Sequence, residues 1–255
     1  MKTVVIVSDT HCGSVFGLTP PDYFSSFPKY KQMQIETWNA YLKIVNKWQC
    51  PDVLLHNGDM IEGKQRKQGG AELITTDRNV QVDMAEECLK RWKAKKFLAT
   101  YGTPYHVSEH AEDFEYNVAK RLKGTIEGKL FFNLEGLTFE AKHKIGNSSI
   151  PHGKATALLR SMTWTLLNHL TQNEPKVDVV IRSHVHRFLY IETGNQVGIV
   201  TPGLQLKRGR YGSRECEGEI HWGAIRLEVN KGKITGKDVF IWNLKANKPQ
   251  VIKIK

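Results

Sequence analysis

The chain has 255 residues, of which 40% are hydrophobic and 25% charged, and it carries a formal net charge of +11. That composition is ordinary for a soluble globular protein, the length supports a core without disulfide staples, and no apolar run approaches the roughly 20 residues that span a bilayer. The basic balance favours a polyanionic partner, nucleic acid first, although a solvated lysine-rich surface accounts for the charge equally well.

The N-terminus lacks a signal-peptide pattern, so a cytoplasmic protein is expected. Cys12, Cys50, Cys88 and Cys216 are irregularly spaced and form no C-x-x-C pair, which argues for reduced thiols rather than a zinc knuckle or a disulfide framework. Cys12, between His11 and Gly13, is placed to line a site.

In chain order, TVVIVS (3–8) reads as a buried strand and Ile35 to Trp48 as a helix, from apolar residues at helical spacing. DVLLHNGD (52–59) is a second strand running into a turn. A helix over 79–92 and a strand at KFLATYG (96–102) follow. LFFNLEGLTFEAKH (130–143) has the pattern of a hairpin around Glu135-Gly136. A helix is expected near 153–171, with Leu158, Leu159, Met162, Leu166 and Leu170 facing inward. VDVVIRSH (177–184) is another apolar strand. FLYIET, QVGIVTPG, WGAIRLEV and KITGKDVFIW then read as short antiparallel strands. Strands alternating with helices and no linker composition predict one α/β domain over residues 1–255.

The strand ends carry the chemistry. The first ends in Asp9-Thr10-His11, the second in Asn57-Gly58-Asp59, the third in Gly102-Thr103-Pro104-Tyr105-His106; the hairpin ends in His143, and the later strand in His184-Val185-His186. In open α/β sheets the carboxyl ends of strands gather at one edge. Clustered imidazole and carboxylate suit first-row divalent metals. Residues i and i+2 of an extended chain point the same way, so Asp9 with His11, and His184 with His186, are expected to reach ions together. Asp59 has two oxygens with which to bridge a pair, and Gly58 lets the backbone turn tightly there. Two ions about 3.5–4 Å apart suit hydrolysis of phosphate esters.

The order D-x-H, G-D, a histidine-bearing third strand end, H, and H-x-H, from residue 9 to 186, resembles the calcineurin-like metallophosphoesterases, in particular short single-domain forms of phage and prophage genomes. The resemblance implies a sandwich of two mixed β-sheets flanked by helices, with two divalent ions (Mn, Fe or Zn) at one end. It places one ion on Asp9, His11, Asp59 and His186, and a second on Asp59, His143 and His184. The family's Gly-Asn-His reads GTPYH here, with Thr103 in the Asn position, so His106 is either the general acid facing the leaving group or a ligand of the second ion. Ser183 replaces the usual Gly of the last motif, and a small side chain keeps that turn close. His110 is one helical turn beyond His106 and is read as a surface residue. Asn57 is read as a turn residue able to orient a ligand, and His56 as packing beside the turn. His152, His169 and His221 are expected to be structural or surface positions.

The expected activity is metal-dependent hydrolysis of a phosphate ester, with a phosphodiester of DNA or RNA as the best substrate. A phosphomonoesterase acting on a nucleotide or phosphoprotein is the alternative. Basic loops at 61–70 and 207–214 are expected near the site; the second, KRGRYGSR with Lys207, Arg208 and Arg210, is suited to grip phosphates and stack a base on its tyrosine, with a plain charged hairpin as the equal alternative. A reading from another class is a binding module that kept the scaffold, since some proteins of this fold serve as interaction subunits; Thr103 is its one hint.

Overall fold

A computed structural model describes residues 1–66, 69–109, 112–148, 150–206, 209 and 219–242. Its first sheet holds β1 (Lys2–Val7), β2 (Val53–Asn57), β3 (Lys96–Thr100), β6 (Thr125–Glu127), β12 (Trp222–Asn230) and β13 (Lys233–Trp242), in the order β13-β12-β1-β2-β3-β6. β1, β2, β3 and β6 run parallel; β12 and β13 are antiparallel. The second sheet has the order β10-β11-β9-β8-β7, from β7 (Leu130–Leu134), β8 (Leu137–Ala141), β9 (Val179–Arg182), β10 (Leu189–Glu192) and β11 (Val197–Val200). A two-stranded ribbon, β4 (Ser108–Glu109) with β5 (Glu112–Asp113), lies apart.

The sheets face each other across an apolar layer. Val4, Ile6, Val53, Leu55 and Leu98 of the first meet Phe139, Ala141, Val179, Ile181 and Ile199 of the second. Alternation sends Val5 and Val7 to the opposite face, under α1 (Pro28–Trp48), α2 (Arg78–Lys90) and α4 (Phe114–Arg121). That two-sided burial is why β1 and β2 read as continuous apolar runs. Pro28 starts α1, with its fixed φ and missing N–H. Asp77 caps α2 by accepting from Asn79 N at 2.8 Å, and Asp113 caps α4 from Tyr116 N at 2.9 Å. On the outer face of the second sheet, α5 (Thr156–Thr171) buries Leu158 and Met162 against Val180 and Val200.

The α/β sandwich of two mixed sheets agrees with expectation. Three details differ. The last four strands do not form one antiparallel meander: β10 and β11 join the second sheet, with β11 parallel to β9, while β12 and β13 extend the first. Leu159 and Leu170 of α5 point outward, 43% and 78% exposed, because only one stripe of the helix meets the sheet. The short elements α3 (Pro104–Val107), α4 and β6 had no clear periodic signal.

Candidate metal centre

The strand ends do gather at one edge, but the side chains reach it by a different backbone from that expected. β1 stops at Val7 and β9 at Arg182, so Asp9, His11, His184 and His186 lie beyond extended structure. Asp9 (φ 52°), His11 (44°), Asp59 (55°), His184 (75°) and His186 (48°) all occupy the left-handed region. Each such residue costs on the order of 1–3 kcal/mol, and clusters of them mark functional sites. Left-handed residues at alternate positions curl the loop so that the i and i+2 side chains converge, in place of the strand alternation invoked from sequence. The curl is held by backbone bonds: Asp9 N donates to Gly58 O and His11 N to Asp59 O, both at 3.0 Å.

Two groups result, Asp9 with His11 and His186, and Asp59 with His143 and His184. His186 Nε2 lies 3.1 Å from Asp9 Oδ1, and His11 Nε2 lies 3.9 Å from the same oxygen. Asp59 Oδ2 is 3.0 Å from His143 Nε2, 4.0 Å from His184 Nδ1 and 3.8 Å from His11 Nε2. One Asp59 oxygen therefore faces both groups. Asp9 and Asp59 are buried, yet both Asp9 oxygens and His143 Nε2 have no hydrogen-bond partner. Orphaned buried carboxylate oxygens are costly unless a cation meets them. The donor set, with atoms converging at 3–4 Å but misaligned for hydrogen bonds, fits divalent metal binding.

The electrostatics agree. Burial opposes ionisation of both aspartates, but facing imidazoles outweigh it: His186 and His143 lower the Asp9 carboxyl, and His143 and His106 hold Asp59 well below the usual range. Burial pushes His143 down, yet the carboxylates of Asp59 and Asp9 raise it to about 10. His143 Nδ1–H donates to Asn57 O at 2.7 Å, which aims Nε2 at Asp59.

The neighbours fix these side chains. Gly58 (φ 82°) sits against His143 where a Cβ would collide with the ring, so this glycine serves the His143 approach as well as the turn. Beneath the centre, hydroxyls and an amide stitch the two sheets. Thr100 Oγ1 donates to Asn57 Oδ1 (2.7 Å), Asn57 Nδ2 donates to Ser183 Oγ (2.6 Å), and Thr201 Oγ1 bonds Ser183 Oγ (2.6 Å) and Ser8 Oγ (2.7 Å). Ser183 thus does more than keep the turn small; its hydroxyl ties Asn57 to Thr201, and its backbone N donates to His143 O (2.8 Å).

His106 and Thr103 separate. Thr103 stands at the second group: its N donates to Asp59 Oδ1 (2.6 Å) and its Oγ1 is 3.3 Å from His184 Nδ1. His106 stands instead with His11 and Glu62. Its Nδ1–H donates to Glu62 O at 2.8 Å, and its ring lies edge-on to His11 with centroids 4.8 Å apart. Burial lowers the His106 pKa, but Asp59 and Glu62 more than compensate and raise it.

Glu62 was missed from sequence. It is 3% exposed, its Oε2 lies 2.8 Å from His11 Nδ1, and it comes three residues after Asp59, the one signal that could have found it. Glu115, also missed, reaches in from α4, where its oxygens accept Met60 N (2.5 Å) and Gly102 N (2.6 Å). Burial and the Asp59 charge push its carboxyl up to about 8. His221 is closer to the centre than expected: its backbone N donates to His186 O (2.7 Å), and its Nδ1 accepts from Phe188 N (2.9 Å). His152 and His169 are exposed, as expected. Cys12 does not line the site; it is fully buried in the core under β1. Lys207, Arg208 and Arg210 lie outside the described residues, as do His110 and Cys216.

No family model matches the sequence, and no curated protein matches it. Solved structures do. Vps29 complexed with zinc from Entamoeba histolytica aligns with a TM-score of 0.50 at 12% identity, over 94% of this chain and 98% of that one. Vps29 from Chaetomium thermophilum gives 0.49 at 11% identity, over 95% and 96%. An archaeal phosphodiesterase gives 0.47 at 13% identity, over 94% and 99%. At 12% identity the alignment with the zinc-bound Vps29 concerns the fold alone. The chain has the fold of the calcineurin-like metallophosphoesterases.

Proposed function

We propose that the protein is a metal-dependent phosphodiesterase whose best substrate class is nucleic acid. The observation that carries the reading is the Asp59 carboxylate, buried between two groups of imidazole and carboxylate donors with one oxygen facing both. Asp9, His11, Asp59 and His186 would hold one divalent ion, and Asp59, His143 and His184 the other. When bound, the ions supply Lewis acidity for attack of water on a phosphate ester. The residues of the chain do the rest. His143 is held by the Asn57 carbonyl, and Glu62 Oε2 stands 2.8 Å from His11 Nδ1. His106, with Nδ1–H committed to Glu62 O and its pKa raised by carboxylates, keeps a second nitrogen to protonate a departing alkoxide. Its placement against His11 favours this acid role over ligation of the second ion.

The test is hydrolysis, with added Mn²⁺, of a chromogenic phosphodiester, the matching monoester, and single- and double-stranded DNA, against Asp59→Asn. Asparagine accepts the left-handed backbone at 59, so the variant should fold, bind less metal and turn over nothing. Diester and DNA cleavage lost in the variant supports the reading. Monoester cleavage alone moves it to a phosphatase, and a fully active variant defeats the two-ion centre. A metal content near zero in the unsubstituted protein points instead to a binding module.

A further inference from the structure

From Ala141 to Asn173 the chain has no aspartate or glutamate, although 26 occur in the whole. This stretch leaves the metal centre directly, through His143, and runs by a loop and a 3-10 turn (Pro151–Ala155) into α5. Lys142, Lys144 and Arg160 are exposed and Lys154 half-buried; none of the four pairs with a described carboxylate. Arg160 Nη2 lies 3.6 Å from where a Cβ on Gly146 would stand, so its guanidinium folds back over the loop that follows His143. Arg187, next to His186, is only 7% exposed and likewise has no described carboxylate in an ion pair, though Glu219 acts on it from farther away. It donates to the Lys154 carbonyl (2.9 Å) and to Asn147 Oδ1 (3.4 Å). These bonds hold the start of α5 against the loop that carries His184 and His186.

An aromatic side chain completes the face. Of the six tryptophans, Trp164 is the one exposed, at 57%. It is four residues from Arg160 on the same side of α5, about 12 Å along the helix from Thr156 at 1.5 Å per residue.

We propose that this face binds single-stranded nucleic acid and leads it to the metal centre, with phosphates on Lys144, Lys154 and Arg160 and a base stacked on Trp164. The inference rests on the phosphodiesterase reading above for what happens to the strand once bound. Cations without a described carboxylate partner, beside an exposed aromatic ring, are what a single strand engages, because its bases, unlike those of a duplex, present open faces. An anionic lipid surface fits less well. A helix lying on a bilayer carries lysine and arginine along its polar side, whereas α5 has one cation, Arg160, and Lys144 and Lys154 sit on the loop and the 3-10 turn before it.

The experiment measures binding of a fluorescein-labelled single strand of about 20 nucleotides, the matching duplex, and phosphatidylcholine–phosphatidylserine vesicles, all in the Asp59→Asn background so that nothing is cleaved. The single strand should bind more tightly than the duplex. Trp164→Ala should weaken it by about tenfold or more, and Trp164→Phe should restore most of the loss. Replacing Lys144, Lys154 and Arg160 together by alanine should reduce the salt slope by about 2, at roughly 0.7 per phosphate contact. Equal strand binding by Trp164→Ala and its parent overturns the proposal, as does tighter duplex binding, or vesicle binding that depends on Trp164 in a protein that binds no strand. If the unsubstituted protein hydrolyses no small diester yet holds strands through Trp164, the catalytic reading falls and this inference stands.

Discussion

Single residues in and beneath the centre make three predictions. His106 touches the leaving-group side only if its free nitrogen donates there, so His106→Ala should slow diesters with poor leaving groups by about 10²–10⁴ and activated chromogenic ones much less. A uniform loss that added metal repairs would make it a ligand. Glu62→Gln, which keeps the shape but removes the charge beside His11, should cost about 10–100-fold in metal affinity or activity, read by metal titration. His56 tests the core. Its Nε2–H donates to Thr10 Oγ1 at 3.0 Å, because that hydroxyl itself donates to Met60 O, and its Nδ1 has no partner. Burial holds its pKa down to about 3. Between there and the ordinary 6.5 the unfolded chain carries a proton that the folded chain refuses, so stability is complete above about pH 6.5 and falls as pH drops. His56→Gln should flatten melting temperature against pH in that window. An unchanged slope would assign the acid loss to other groups.

The loops after β1, β2, β9 and β11 act together, since each places a side chain or a small residue at the centre. Gly203, in the loop after β11, shows the tolerance: a Cβ there would lie 2.8 Å from the His186 ring. Gly203→Ala should displace that imidazole and lower metal content while the melting curve keeps its cooperativity. Full metal content in the variant would mean the loop gives way. At the same scale, α5 was misread because helical spacing marks apolar residues without saying how many face a partner. Leu158 and Met162 meet the sheet; Leu159, Trp164, Leu167 and Leu170 do not.

For the molecule as a whole, the centre lies where the two sheets meet, above the bonds of Asn57, Ser183 and Thr201 and at the end of their shared apolar layer. A cation that binds only the folded chain stabilises it by mass action, by about 2.7 kcal/mol at a hundredfold excess over Kd, or roughly 5–10 °C for a chain of this size. Chelator should lower the melting temperature by that amount, and Mn²⁺ or Zn²⁺ should restore it in the unsubstituted protein but not in Asp59→Asn. An equal response from both would place the ions elsewhere.

The candidate donors that the fold brings together were legible because strands buried on two faces read as apolar runs, and Asp9, Asp59, His143, His184 and His186 stand where those runs break. The hairpin at Glu135-Gly136 was legible for a similar local reason, as both residues have positive φ (50° and 90°). What the sequence could not supply was anything set by distant packing. Glu62 and Glu115 look like surface carboxylates in a chain with many, until the fold buries them against His11 and against the backbone of Met60 and Gly102. The division of the last four strands between two sheets depends on which edge each finds free, and no local pattern encodes that. Thr103 and His106 are three residues apart, yet only the turn of α3 sends one to His184 and the other to His11. Residue chemistry and period are local properties that the sequence carries by itself; burial, partner and direction arise only when remote segments meet.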